Sequence, residues 1–397
     1  MNMDTPQGGR QSEIYLDHAA TSFPKPKSVV AEVTRAVAEL ASPGRGQSRR
    51  AMWAEAMVRE ARDRAARFFA VPEPSRLVFT KSATESLNMA LKGFLKKGHR
   101  VLTSSMEHNA VARPLARLAE ERAVEIIRVP CFADGSLNLD ALRRALDPPP
   151  ALAVFVHASN VNGALVATPK VLSLCREAGV PVVLDAAQTA GLLPISVVDH
   201  DLGMLACSGH KGLLGPSGIG VLYIRSDLQV EPLIEGGTGS HSEQWVQPRE
   251  MPEAMESGTP NIPGIAGLQA GLECVSAMGL ETLQRHELGL ADDVAQRLQG
   301  IKGVQVYRPS VRGGNAVSFT VEGMAPHDVA AILAEAGIAV RAGLHCAPWA
   351  HETLGTYPTG TVRVSPGWCT TREDLDAFTE IVDAMLTRRR RRHLGRA

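Results

Sequence analysis

Residues 180–191 read VPVVLDAAQTAG. An apolar run leads straight into Asp185, and small residues follow. A strand with one wet face carries a polar residue at every second position. This run has none, so it reads as a strand covered on both faces. A carboxylate at the end of such a strand needs a partner. The same order of apolar strand, small-residue turn and helix recurs along the chain. RLVFT (76–80) leads into KSATES (81–86), a turn with helix N-cap residues, and then into LNMALKGFL (87–95), a helix. RVLTSS (100–105) precedes the loop MEHNA and a helix over 111–123. ALAVFVH (151–157) precedes ASNVNGAL and a helix over 169–179. LGMLACSG (202–209) enters HKGLLGPSG, and IGVLYI (219–224) closes the series. Repeated units of this kind predict an open, mostly parallel α/β sheet.

The texture changes after residues 258–279, GTPNIPGIAGLQAGLECVSAMG, with a helix expected near 262–277. Beyond it the pattern is α+β. VQVYR, AVSFTV, AVRAG and TVRVSP read as strands, and HDVAAILAEAG and REDLDAFTEIVDAML as helices. A chain of 397 residues fits two domains. The division is placed near Gly264, giving a large α/β domain over 14–264 and a smaller one over 265–397, with 1–13 as an extension.

Composition bounds the function. The 42 basic and 42 acidic side chains cancel, so no global field points to nucleic acid. No apolar run reaches the roughly 20 residues of a membrane span, and the start MNMDTPQGGRQSE lacks the apolar core of a signal peptide. A cytoplasmic protein is the expectation. The six cysteines form no C-x-x-C pair, so neither a zinc cage nor a disulfide framework is expected. The run RRRRR (388–392) reads as a solvated extension of the last helix.

Ligands of open α/β sheets bind beyond the carboxyl ends of the strands. Five units place polar groups there: 82–85, Glu107-His108-Asn109, Ser159-Asn160, Asp185 with Gln188, and Ser208-Gly209-His210-Lys211. A P-loop needs its lysine after the glycines; Lys211 precedes them. No G-x-G-x-x-G opens the first helix. What remains is a small phosphate monoester held at a helix N-terminus by Ser82-Ala83-Thr84, with Ser208 and His210 as further donors. Lysine, aspartate and phosphate cup together point to pyridoxal 5'-phosphate (PLP). The lysine amine bonds the aldehyde, and the aspartate keeps the pyridine nitrogen protonated so that the ring withdraws electrons.

YLDHAATSFPKP, MEHNA, SN with Gly163, DAAQ, SGHKGLLGPSGIGVLYI, SGTPN and RAGLHCAP occur in this order. With them the chain resembles the class V aminotransferase-like PLP enzymes from about Ile14 to its last helix, most nearly the cysteine desulfurases of the short-loop branch shared with selenocysteine lyases. The resemblance implies the PLP-dependent transferase fold type I, like aspartate aminotransferase. It implies that Lys211 carries the cofactor, Asp185 pairs with the pyridine nitrogen, and Gln188 bonds the ring hydroxyl. His108 stacks on the ring and moves protons. Ala83, Thr84, Ser208 and His210 hold the phosphate, and Asn160 lies near the ring hydroxyl and substrate. Arg363 grips the substrate carboxylate, and His18 and Arg341 stand near it. Thr259 reaches the cofactor of the other subunit in a homodimer. Cys346 is the nucleophile that takes sulfur from L-cysteine as a persulfide, releasing L-alanine and passing the sulfur to an acceptor protein for iron–sulfur clusters or thio-cofactors. Its neighbours agree: His345 adjoins it and Arg341 lies five residues before, and a nearby base or cation favours a thiolate. Leu344 stands where many members of this branch carry a histidine, so their proton relay does not carry over on residue type. Selenocysteine lyase, cysteine sulfinate desulfinase and small-substrate aminotransferase are the alternative reactions on the same scaffold, and a binding platform is the alternative of another class.

Overall fold

A computed structural model describes residues 13–43, 48–240 and 243–394, with side chains to residue 387. The first half alternates as the sequence predicts. After β1 (Ile14–Tyr15), α1 (Lys27–Glu39) and α2 (Arg49–Phe68) come β2 (Leu77–Thr80), α3 (Ala83–Phe94), β3 (Arg100–Ser104) and α4 (Asn109–Arg122). Next are β4 (Glu125–Val129), α5 (Leu139–Ala145), β5 (Leu152–Val156) and α6 (Pro169–Glu177). The strands β6 (Val182–Asp185), β7 (Met204–Ser208) and β8 (Gly220–Ile224) complete a seven-stranded sheet in the order β2-β8-β7-β6-β5-β3-β4. Every pair is parallel except those of β8, which runs antiparallel to both neighbours.

The apolar runs are explained by two cores. Alternate residues of one strand serve opposite faces: Val182 and Leu184 join one cluster, and Val183 joins the other. Both faces are dry, so the expected alternation vanishes. β4 and α5 were not among the expected elements. β4 is an edge strand, and its exposed Glu125 and Arg128 break the apolar run that marks the others.

The remaining elements are α7 (Ile262–Met278), α8 (Leu280–Gly300), β9 (Val304–Val306), β10 (Val317–Val321), α9 (Pro326–Glu335), β11 (Ile338–Ala339), β12 (Arg341–Gly343), α10 (Pro348–Thr353), β13 (Thr361–Val364) and α11 (Arg372–Leu394). A four-stranded antiparallel sheet, β12-β13-β10-β9, packs with α8, α9 and α11 around its own core, where Phe319 meets Phe378 edge-on at 6.0 Å. β1 pairs with β11 in this second unit, and Leu16 enters its core. The helix α7 packs on α1 and α2, and its Ile265, Leu268 and Leu272 join the core of the large sheet. We therefore propose that the division lies beyond Met278, not near Gly264, and that the first residues of the chain go with the smaller unit. The arginine run lies on α11, with its side chains outside the described residues.

Candidate active site

A cavity of about 360 Å³ opens where the strands of the large sheet end at their carboxyl termini. That falls within the roughly 300–1,000 Å³ typical of small-ligand sites. Ala83, Thr84, His108, Asn160, Asp185, Gln188, Ser208, His210, Lys211, Arg341, Cys346 and Arg363 all line it. Two of the expected residues do not. Thr259 lies on an exposed bend. His18 is buried in a separate small chamber that Lys211 and Gln188 also border.

The turn that carries Lys211 is held by backbone contact. Gly191 has φ +87°, and a Cβ there would lie 2.1 Å from the Gly212 carbonyl oxygen. A Cβ on Gly212 would come within 2.5 Å of the Ala190 carbonyl oxygen. Glycine at both positions lets the turn after β6 rest directly on the lysine turn. From the other side, the His210 carbonyl accepts the Ser22 N–H at 2.9 Å, the Thr21 hydroxyl at 3.0 Å and the Lys25 ammonium at 2.8 Å. The peptide leading into Lys211 is thus clamped by the N-terminal segment. Burial pushes the Lys211 amine down to about 8, against the opposing pull of Asp185.

Asp185 ends β6 with its Oδ1 accepting the Ala187 N–H at 3.0 Å. Burial raises its pKa, while that bond and Lys211 lower it. A cation placed against this carboxylate would complete it. His108 caps α4: its Nδ1 accepts the Ala110 N–H at 3.0 Å. Burial and then Lys211 push its pKa down to about 4, so the ring is neutral near pH 7 with its proton on Nε2. At the first turn of α3, Ser82 accepts the Glu85 N–H and Ser208 Oγ accepts the Ala83 N–H at 3.0 Å. Gly220 permits this arrangement, since a Cβ would lie 2.7 Å from the Ser82 carbonyl carbon. Gln188 donates Nε2 to the Ala19 carbonyl at 2.9 Å.

On the opposite wall Arg363 is almost wholly buried. It donates Nη1 to the Asn160 carbonyl at 3.0 Å and Nη2 to Asp17 Oδ1 at 2.6 Å. The Asp17 carboxylate also accepts Arg341 Nε on Oδ2 at 3.0 Å. One aspartate therefore bridges the two arginines, and sequence reasoning gave it no role. Its signal, the LDHAAT stretch, says nothing of a partner 346 residues away.

His345 and Cys346 have φ 49° and 56°, and the Ala347 N–H closes the turn on the Leu344 carbonyl at 2.8 Å. Two left-handed residues closed this way make a type I′ turn, a shape that favours Asn-Gly. The turn is pinned at both residues. Asn160 Nδ2 donates to the His345 carbonyl at 2.7 Å, and the Asn109 N–H to the Cys346 carbonyl at 2.8 Å. Cys346 is exposed, while His345 turns inward to Thr361 Oγ1 at 3.2 Å. Burial pushes the His345 ring down to about 2. No hydrogen bond joins Cys346 Sγ to His345 or Arg341 among the described residues, so the base expected beside the thiol is turned away from it.

Four buried polar atoms of the cavity-lining residues have no protein partner among the described residues: Asn160 Oδ1, His210 Nδ1, His345 Nδ1 and Arg363 Nε. Such atoms call for a polar ligand. No group of three or more His, Cys, Asp or Glu among the described residues could hold a metal ion, and none of their helices is long and apolar enough to cross a membrane.

A two-unit α/β fold with a lysine, an aspartate and a helix N-terminus on one strand-end cavity defines the class. The family model described as Aminotransferase class-V matches residues 14–378, and the chain belongs to that family. It is similar to a probable cysteine desulfurase of Methanothermobacter thermautotrophicus, 32% identical over 381 residues and covering 94% of both chains. It is similar to the cysteine desulfurase CsdA of Escherichia coli, 32% identical with 94% of each chain covered. Among solved structures it is similar to the apo cysteine desulfurase of Thermococcus onnurineus, with TM-score 0.88, 34% identity, and 94% and 95% of the two chains covered.

Proposed function

We propose that the protein is a PLP-dependent cysteine desulfurase. It converts L-cysteine to L-alanine and carries the sulfur on Cys346 to an acceptor. The observation that supports this reading is one cavity lined by Lys211, Asp185, Arg363 and an exposed cysteine.

The residues present fit the cofactor. The phosphate would sit at the N-terminus of α3, with Ser82, Thr84, Ser208 and His210 around it. Asp185 would face the ring nitrogen, Gln188 and Asn160 the ring hydroxyl, and His108 the ring face. When bound, PLP supplies an aldehyde that takes up amines and a ring that withdraws electrons from the substrate α-carbon.

The chain's own groups then have these tasks. Arg363 binds the substrate carboxylate through a guanidinium whose direction Asp17 and the Asn160 carbonyl fix. Arg341, tied to the same aspartate, adds positive charge at the cavity mouth. The Lys211 amine, pushed down to about 8, is neutral in a useful fraction near pH 7 and takes the proton from Cα. His108 holds a proton on Nε2 towards the cavity. Cys346 thiolate bonds the substrate sulfur as the Cβ–S bond breaks. The electron pair stays with the substrate carbon, which takes up a proton and leaves as the methyl group of alanine. The outer sulfur of the persulfide sits on an exposed turn, where an acceptor protein can reach it. Thr259, exposed on its bend, would serve the cavity of a second copy in a homodimer. Cytoplasmic placement belongs to this reading, as the compartment where such thiols stay reduced.

The test is mass spectrometry of the protein after L-cysteine. The Cys346 peptide should gain one or more sulfur atoms, and Cys346→Ser should keep the cofactor absorbance and lose the gain. Full alanine release by Cys346→Ser would overturn the assignment of Cys346 as the nucleophile.

A further inference from the structure

Glu107 is fully buried one residue before His108, in the short connection from β3 to α4, and nothing in the proposed reaction uses it. Its carboxyl completes the large sheet. The N–H groups of Ala153 and His157 bond carbonyls on the β6 side, at 3.0 and 2.9 Å. The alternate N–H groups of β5 therefore face β3. β3 pairs with β5 only as far as Thr103 and Val154. The next N–H facing that way is Val156, and Glu107 takes it: Oε2 accepts it at 2.9 Å and Oε1 at 3.1 Å. From the β3 side Ser104 Oγ donates to Oε1 at 2.5 Å. Among the described residues, the bonds to Val156 are the only hydrogen bonds from residues 105–108 to β5 or β6.

Both ends of this tie belong to the main cavity. Val156 lines it and stands opposite Asp185 in the β5–β6 register. His108 lines it too, and its other ties lead elsewhere. Its Nδ1 caps its own helix, and the Asn109 N–H goes to the Cys346 carbonyl on an exposed turn. We propose that Glu107 is a positioning residue: by bonding Val156 it fixes His108 against the β5–β6 strand end, and so sets the slot that takes the flat cofactor ring. This rests on the reading of the cavity as a PLP site. With Asp185 at the ring nitrogen and His108 over the ring face, a shift between the two spoils both contacts. The role needs a hydrogen bond and not a charge. Burial pushes the Glu107 carboxyl up to about 8, so near pH 7 most of it is uncharged. Glutamine keeps an oxygen for the Val156 N–H and offers its amide to Ser104 Oγ. Alanine leaves a buried N–H without a partner.

The test titrates the cofactor-free full chain with PLP and follows the absorbance and the circular dichroism of the bound band. Glu107→Gln should bind within about threefold of the parent, with the same dichroism per bound PLP. Glu107→Ala should bind at least about tenfold more weakly, and its dichroism per bound PLP should fall by about half or more, because the ring loses its fixed direction. A role in folding alone would lower the melting temperature and leave that dichroism as it is in the parent. Glu107→Asp keeps the acid but is one methylene shorter. It should behave as alanine does, and it stands in if the alanine variant does not fold. Without cofactor, hydrogen exchange at the Val156 amide should be about tenfold faster in Glu107→Ala or Glu107→Asp and unchanged in Glu107→Gln. A parent chain that takes up no PLP overturns the cofactor reading and this proposal with it. A parent that binds PLP while Glu107→Ala keeps its affinity and dichroism, or an unmoved Val156 exchange rate, overturns the proposal alone.

Discussion

Replacing Asp17 by alanine isolates the ion pair behind the proposed carboxylate site. Arg363 is 2% exposed and Asp17 7% exposed, so the pair is buried and water cannot replace the lost partner. The remaining protein bond of the guanidinium is to the Asn160 carbonyl, and its Nε has none among the described residues. Removing one partner of a buried pair costs about 3–5 kcal/mol, because the other charge stays unpaired. Arg341 is different. Its side chain is 49% exposed, so it rehydrates and adds well under about 1 kcal/mol. Unfolding entropy near 60 °C is about 2.1 cal/mol/K per residue, or about 0.8 kcal/mol/K for this chain. Asp17→Ala should then lower the melting temperature of the cofactor-free protein by about 4–6 °C. Adding Arg363→Met should recover part of the loss, since the buried charge goes with it. Calorimetry at matched protein concentration measures both. A single variant within 1 °C of the parent, or a double variant that falls by the sum of the two single losses, would refute the argument that burial makes Asp17 hold Arg363.

Four other outcomes follow from the same geometry. Cys346→Gly should stabilise the protein by about 1 kcal/mol in denaturant titration, since glycine accepts φ 56° without the left-handed penalty, while abolishing sulfur uptake. Lys211→Met should stabilise the cofactor-free protein by roughly 2–3 kcal/mol at pH 7. The lysine pKa is depressed, so its destabilising charge is fully present below about 8, and the gain should fade as pH rises towards 10.5. The variant should also lose the visible absorbance of bound PLP. Glu107 is buried, accepts the Val156 N–H at 2.9 Å, and is pushed up to about 8 by burial. Its raised pKa makes stability fall as pH rises from about 4.5 through 8, so Glu107→Gln should flatten the decline in melting temperature over that window. Gly191→Ala should displace the lysine turn, seen as at least a tenfold weaker PLP affinity, because its Cβ would meet the Gly212 carbonyl at 2.1 Å.

The sequence was most legible where burial is two-sided. β6 and β7 are apolar on both faces, and their runs end at Asp185 and Ser208 as the pattern requires. The edge strand β4 was not read, since its exposed Glu125 and Arg128 break the apolar run, whereas the other edge strand, β2, keeps one and was read. The helix α8 was not read either, and with it went Glu287, because one buried glutamate in a charged amphipathic helix looks like its exposed neighbours. The glycines after Lys211 read as a tight turn, but their use is pairwise: Gly212 needs Gly191 opposite it.

By itself the sequence determined the strand–helix alternation, the residues at the strand ends and the lysine that precedes its glycines, because periodicity and turn chemistry are local properties of the chain. The tertiary structure alone decided that Asp17 bridges Arg363 and Arg341, that His345 turns away from Cys346, and that His18 leaves the main cavity for the chamber behind Lys211. Those outcomes depend on which side chains burial brings together across hundreds of residues, and on which polar atoms are left without a partner once they meet.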